Sequence, residues 1–78
     1  MTLKIISAQE ILYSGRVASA TLPGSMGEFT VLRNHATLLA TLVPGFIRYK
    51  TESGEELSCE VGGGIADIDN NVISVCVY

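Results

Sequence analysis

Residue types that build active sites and metal centres are scarce in this chain. It has no tryptophan, one histidine and two cysteines among 78 residues. A metal centre needs several converging His, Cys or carboxylate ligands, and Cys59 and Cys76 lack the CxxC spacing of such sites. Nucleophilic catalysis needs a nucleophile beside an oriented base, and no spacing marks a partner for His35. The sequence therefore predicts no catalytic residues, no metal and no cofactor.

Positive charge and long apolar runs are scarce as well. Five Lys and Arg against eight Asp and Glu give a net charge of −3, which argues against nucleic-acid binding because that requires a basic face. The chain contains no run of about 18 apolar residues, so the sequence predicts no membrane-spanning helix. Its first ten residues also lack the features of a secretory signal. We expect a protein made and used in the cytosol.

The two cysteines are expected to be reduced in that compartment. Cys59 alternates with Leu57 and Val61, so its side chain is predicted to point into the core. Both cysteines are interpreted as small buried hydrophobic residues. A disulfide between Cys59 and Cys76 is the alternative if their strands are neighbours.

What the chain does contain is apolar residues and closely spaced turn signals. Apolar residues make up 47% of it and charged residues 17%. Turn residues recur at Pro23-Gly24, Pro44-Gly45, Gly62-Gly63-Gly64 and Asn70-Asn71. Short strands at such spacing predict an all-β fold. We expect one domain over residues 1–78, a small flattened β-sandwich or barrel of about 8–10 short antiparallel strands.

Local patterns predict several irregular points. The apolar parity changes between Val17 and Ala20, which predicts a bulge near residues 18–19. Asn70-Asn71 predicts a tight hairpin, since Asn tolerates positive φ. Residues 35–43 fit neither the helical nor the strand period, so a helical turn leading into a strand is one reading. Pro44 is expected to end that segment.

Two apolar residues fall on the polar side of their predicted strands. Phe46 alternates with the inward-facing Ile47 and so lies on the side of Arg48. Ile65 likewise shares a face with Asp67. Single exposed apolar residues are common, but two of them, in a domain without visible catalytic groups, favour a protein–protein interface.

Short motifs along the whole chain carry a family resemblance. They are Ile6-Ser7-Ala8-Gln9-Glu10, Tyr13-Ser14-Gly15-Arg16-Val17, PGSMGEFTVL at residues 23–32, NHATLL at residues 34–39, Pro44-Gly45-Phe46-Ile47-Arg48, Gly62-Gly63-Gly64-Ile65 and Asn71-Val72. In this order and spacing they resemble the N-terminal β-sandwich domain of the epsilon subunit of bacterial F-type ATP synthase. Arg33 and Thr37 stand where that family usually carries Pro. The family's two-helix C-terminal domain, with its inhibitory function, has no counterpart in residues 1–78.

The resemblance implies a non-catalytic central-stalk subunit that links the gamma subunit to the c-ring and supports coupling of proton transport to ATP synthesis. It implies a peripheral location at the cytoplasmic face of the bacterial plasma membrane. The alternative is a stand-alone β-sandwich module that binds a ligand or a protein. By position, the residues expected to face the c-ring are Ser7, Ser25, Met26, Gly27, Glu28 and His35, the last near the same end of the domain as the others. Those expected to face gamma are Leu39, Thr41 and Phe46.

Overall fold

The computed structural model describes residues 1–78, and it contains strands without any helix. The six strands are β1 (Thr2–Ile6), β2 (Ile11–Gly24), β3 (Gly27–Leu32), β4 (Leu38–Thr51), β5 (Glu56–Asp69) and β6 (Val72–Val77). The all-β prediction is confirmed. No segment forms a helix able to cross a bilayer.

One hydrogen-bonded sheet closes on itself. The strand order is β1-β6-β5-β4-β2-β3, and β1 also pairs with β2. All neighbours are antiparallel except β1 and β6, which run parallel. The closure leaves few free edges, which protects a small β domain from edge-to-edge association.

The three long strands each contribute to two layers. The first layer holds β1, β6 and residues 11–16 of β2, 38–42 of β4 and 64–69 of β5. The second holds β3 and residues 17–24 of β2, 44–51 of β4 and 56–62 of β5, as the pairing registers require. The structure thus has six strands with one parallel pair, and not the predicted 8–10 short antiparallel strands, because β2, β4 and β5 each continue from one layer into the other.

A single apolar core lies between the layers. Sixteen buried hydrophobic residues form it, and no polar or charged residue is buried. The strands supply them by alternation: Leu3 and Ile5 from β1, Ile73 and Val75 from β6, and Ile47 from the second half of β4, all with no exposed surface. Burial of such aliphatic side chains contributes about 1.5–3 kcal/mol each, so the core holds the layers together.

The predicted bulge and hairpin are both present. The register between β2 and β4 shifts between Val17 and Ser19, which returns the apolar side chains of β2 to the core after the parity change. Asn70 and Asn71 have φ of 52° and 62° and join β5 to β6. This is the conformation that Asn accepts in a two-residue hairpin.

Two turn signals lie inside strands, so the strand boundaries predicted there are wrong. β4 continues through Pro44, which pairs with Gly62 on β5. β2 has no partner for residues 43–47 of β4, so this stretch of β4 pairs with β5 alone, and proline is found in such edge segments. On β5, a Cβ at Gly64 would clash with the carbonyl oxygen of Cys76. These residues bend β4 and β5 from one layer into the other.

Three smaller predictions are settled by burial and strand bounds. For residues 35–43, the sequence allowed a helical turn leading into a strand. Residues 35–37 form a loop without a helical turn, and the strand β4 begins at Leu38. Cys59 packs against the core, as predicted. Cys76 is exposed on β6, which corrects its assignment as buried, and both thiols are free.

Candidate functional site

A row of side chains crosses the outer face of the first layer. The pairing registers place Thr41 beside Ile65, Ile65 beside Cys76, Cys76 beside Ile6, and Ile6 beside Ile11. Paired residues point to the same side of a sheet. Four of the five are apolar or a thiol, and Ile65 and Ile11 are 49% and 63% exposed. We call these five residues the outer row.

Four of the five neighbouring positions on the same face are polar. The next register line runs through Leu39, Asp67, Ser74, Lys4 and Ser14. The outer row is therefore an apolar stripe with a polar border on one side. Such a border around an apolar centre is the usual arrangement of a protein–protein contact.

A loop of residues 7–10 follows the outer row at Ile6. The Ser7 hydroxyl accepts hydrogen bonds from the backbone N–H groups of Gln9 and Glu10 at 3.3 and 3.2 Å. The Ser7 N–H donates to the carbonyl of Glu10 at 2.9 Å. Ser7 therefore holds this loop in one shape, a role that its sequence motif did not indicate.

A second loop, the turn at residues 25–28, lies at the other end of the outer row. The N–H of Ser25 donates to the carbonyl of Thr41 at 2.8 Å. Met26 at the tip is fully exposed, and Gly27 has φ of 122°, which favours glycine. Arg48 donates to Glu28 Oε2 at 2.7 Å across the second layer. The outer row crosses the strands at one level. The loop at residues 7–10, beside Ile6, and this turn, beside Thr41, therefore lie at the same end of the sandwich, which we call the turn end.

His35 does not share that end, which corrects the expectation that it does. β3 runs from Gly27 to Leu32, about 17 Å, and His35 follows its far end. There the N–H of Asn34 donates to Asn71 Oδ1 at 2.6 Å, and Asn71 Nδ2 donates back to Asn34 Oδ1 at 3.2 Å. The loop with His35 is therefore fixed to the β5–β6 hairpin, at the end of the sandwich opposite the turn end.

The three residues expected to face gamma are exposed but do not lie on one layer. Leu39 is 72% exposed and lies in the first layer together with Thr41. Phe46 is 49% exposed, as its strand pattern predicted, but lies beyond the bend at Pro44, in the second layer opposite Glu60. A single flat partner surface on the first layer reaches Leu39 and Thr41 without Phe46.

A groove runs along the open seam between the layers. It has a volume of about 530 Å³ and lies between residues 24–29 and residues 38–41, with Phe29, Leu38 and Leu39 among its apolar walls. No cluster of three or more His, Cys, Asp or Glu side chains is present. Burial raises the pKa of Cys59 and Tyr49, which further favours the neutral form of both side chains.

Fold and surface together define a closed β-sandwich domain with an exposed apolar stripe on one layer. Residues 1–78 match the family described as ATP synthase, Delta/Epsilon chain, beta-sandwich domain. The ATP synthase epsilon chain of Mesorhizobium japonicum is 42% identical over 65 residues, which cover 83% of this chain and 48% of that relative. The chain belongs to the ATP synthase delta/epsilon chain family, and it spans about half the length of this curated relative.

Solved structures with the same fold come from ATP synthase assemblies. One is a chain of the Euglena gracilis mitochondrial ATP synthase, OSCP/F1/c-ring, with a TM-score of 0.86 and 24% identity over 96% of this chain and 48% of that chain. Another is a chain of the Tetrahymena thermophila mitochondrial ATP synthase central stalk and c-ring, with a TM-score of 0.79 and 13% identity over 100% of this chain and 63% of that chain. At these identities the likeness shows the fold alone.

Strand alternation had identified Ile65, and the family resemblance Thr41, but the other three residues of the outer row were missed. Ile6, Ile11 and Cys76 are brought beside Ile65 only by the registers of β1, β2 and β6. The signal that was available is the apolar character of both faces of β6, which predicted either a central strand or a covered edge. The structure shows one buried face, with Ile73 and Val75, and one exposed face.

Proposed function

We propose that this chain acts as a non-catalytic part of the central stalk of an F-type ATP synthase, where it links the gamma subunit to the c-ring. In this role it supports the coupling of proton transport to ATP synthesis. Family membership supports the proposal, as do the assemblies from which the structural relatives come. The observation that carries it is the exposed outer row beside the turn end.

The proposed gamma-binding surface is the outer row together with Leu39. It offers exposed aliphatic side chains at Ile65 and Ile11. Permanent subunit contacts resemble a domain core cut in half, and this stripe is the part of the first layer that has such a composition. Phe46 lies in the other layer, so a gamma contact at Phe46 stays a separate prediction that requires gamma to extend over the bend at Pro44.

The proposed c-ring contact is the turn end. Ser25, Met26, Gly27 and Glu28 form one of its loops, and Ser7 belongs to the other. The ring's cytoplasmic loops are exposed to water, so polar and charged groups such as Glu28 suit the contact. One ring surface does not reach both ends of the sandwich, and the proposed contact therefore leaves out His35.

Transmission of torque requires a stiff body between these two contacts, and several features supply stiffness. β4 and β5 run without interruption from one layer to the other. The hydrogen bond from the N–H of Ser25 to the carbonyl of Thr41 ties the turn at residues 25–28 to the first layer. The paired Asn34 and Asn71 side chains hold the opposite end, in a loop where Arg33 and Thr37 replace the prolines usual in the family.

The proposed location is the cytoplasmic face of the bacterial plasma membrane, reached only through gamma and the ring. The rival proposal of a stand-alone binding module rests on the seam groove, which is open and has Glu28 as its one charged wall residue. Co-purification separates the two. A tagged chain is expected to bring down gamma and the catalytic subunits, and recovery of the tagged chain alone would reject the stalk role.

The ring contact is tested by Glu28→Lys. Glu28 and Arg48 are both more than half exposed, and an exposed pair contributes about 0–1 kcal/mol, so the variant is expected to fold. ATP-driven proton pumping by reconstituted vesicles is expected to fall while ATP hydrolysis continues. Glu56→Lys makes the same charge change away from the turn end and serves as the control. Full pumping with Glu28→Lys would reject the contact.

A further inference from the structure

One edge of the first layer has no strand beside it. Residues 38–42 of β4 pair with β5 on one side. On the other side β2 reaches only Leu42, and the turn reaches Thr41 through the N–H of Ser25. The seam groove runs along the remaining edge, at residues 38–41.

The backbone of Leu39 faces this groove. The carbonyl of Thr41 points away from β5, because it accepts from Ser25. Backbone groups two residues apart in a strand point to the same side, so the N–H and C=O of Leu39 also point away from β5. Those of Ala40 point toward β5. Leu39 therefore presents an unpaired donor and acceptor at the rim of an apolar groove.

The side chains beside this edge are exposed apolar groups. Leu39 is 72% exposed, while Phe29 and Leu38 are partly buried along the groove. An apolar side chain next to open backbone groups is the arrangement that an added β-strand covers, since the strand supplies hydrogen bonds and apolar contacts together. The backbone groups of a helical partner are paired within its own helix and cannot pair with those of Leu39.

We propose that an extended segment of the gamma subunit adds to the first layer as a short strand along residues 38–41 and fills the seam groove. The inference rests on the proposed function and extends it. Gamma is the occupant because the edge is continuous with the outer row: Thr41 belongs to both, and Leu39 lies one register line from Ile65. The docked segment pairs its own backbone with Leu39 and directs apolar side chains toward Phe29 and Leu38.

A proline substitution isolates the backbone contribution. Leu39→Pro removes the N–H that pairs with gamma, and proline is tolerated on an edge strand whose N–H faces outward. Leu39→Ala removes the same side chain and keeps the N–H. Leu39→Pro is expected to bind purified gamma about three- to tenfold more weakly than Leu39→Ala, the loss of one hydrogen bond. Equal affinities of two folded variants would overturn the inference.

Amide exchange of the unmodified chain tests the same point without a variant. In the free chain the Leu39 amide is expected to exchange rapidly and the Ala40 amide slowly. With gamma bound, the Leu39 amide is expected to slow by about tenfold or more. Rapid Leu39 exchange in a chain that co-elutes with gamma overturns this inference alone, whereas absence of binding overturns the proposed function as well. Slowing by purified c-ring but not by gamma overturns the choice of occupant.

Discussion

Replacement of Ile65 by alanine is expected to weaken binding to gamma without unfolding the domain. Ile65 lies at the centre of the first layer, between Thr41 on β4 and Cys76 on β6. Its side chain points away from the core and is 49% exposed. The change therefore removes surface that is available to a partner and leaves the core packing in place.

The magnitude follows from the exposed fraction. Full burial of an isoleucine side chain contributes about 1.5–3 kcal/mol, and roughly half of that remains to be gained when a partner covers Ile65. Loss of about 1 kcal/mol raises Kd about fivefold. Ile65→Asp is expected to do more, about 100-fold, because a carboxylate without a partner group is buried in the contact.

The assay is a calorimetric titration of each variant into purified gamma, with thermal unfolding measured in parallel. Leu32→Ala is the matched control, because it removes the same number of carbons from a 58% exposed side chain on β3, in the second layer. Its affinity is expected to equal that of the unmodified chain. Equal losses for the Ile65 and Leu32 variants, or none for Ile65→Asp, would refute the assignment of the outer row.

Three further predictions concern stability. Gly64→Ala is expected to lower the free energy of unfolding in urea by about 4 kcal/mol or more, because the new Cβ clashes with the backbone of β6. Gly62→Ala is the control: a Cβ there has only a distant contact and is expected to cost much less. Equal losses of stability in the two variants would reject the clash. Asn71→Ala is expected to cost about 1–2 kcal/mol through a strained φ and two lost hydrogen bonds, and Asn71→Gly, which relieves only the strain, should recover part of that in the same assay. Burial raises the pKa of the Cys59 thiol above its ordinary 9.0. The unfolded chain therefore loses this proton at a lower pH than the folded chain, and the free energy of unfolding falls as the pH rises through the ordinary pKa. Urea titrations from about pH 7 to 10 should show a shallower fall for Cys59→Ala, and an identical slope for the variant and the unmodified chain would contradict this prediction.

Local features of the fold were predictable because they depend on near neighbours in the chain. The parity change between Val17 and Ala20 has only one structural solution in a strand that faces a core, a bulge. The Asn70-Asn71 hairpin follows from the φ that the turn demands. The exposure of Phe46 and Ile65 follows from alternation along one strand.

Continuity of the long strands was not predictable from the same reasoning. Pro44-Gly45 and the glycines at residues 62–64 have the composition of turns, and a bend between two layers requires the same residues. Only the pairing of Pro44 with Gly62, and the close approach of Gly64 to β6, distinguish a bend from a chain reversal. Both are contacts between residues far apart in sequence.

The candidate site was only partly predictable for a related reason. The outer row depends on registers across five strands, and no short stretch of sequence contains them. His35 and the turn at residues 25–28 are close in sequence, but β3 lies between them and separates them by its full length. The family resemblance had placed both His35 and Ser7 near that turn, and only Ser7, although distant in sequence, lies at the turn end.

The alkylation rate of Cys76, followed as gamma is added, tests whether gamma covers the outer face of the first layer. Cys76 is exposed in the middle of the outer row, and the partly buried Cys59, whose pKa is raised, provides a slow internal reference. If gamma covers the first layer, the rate at Cys76 falls to a plateau as the gamma concentration rises. A rate that stays constant at every gamma concentration would show that gamma does not bind over the outer row.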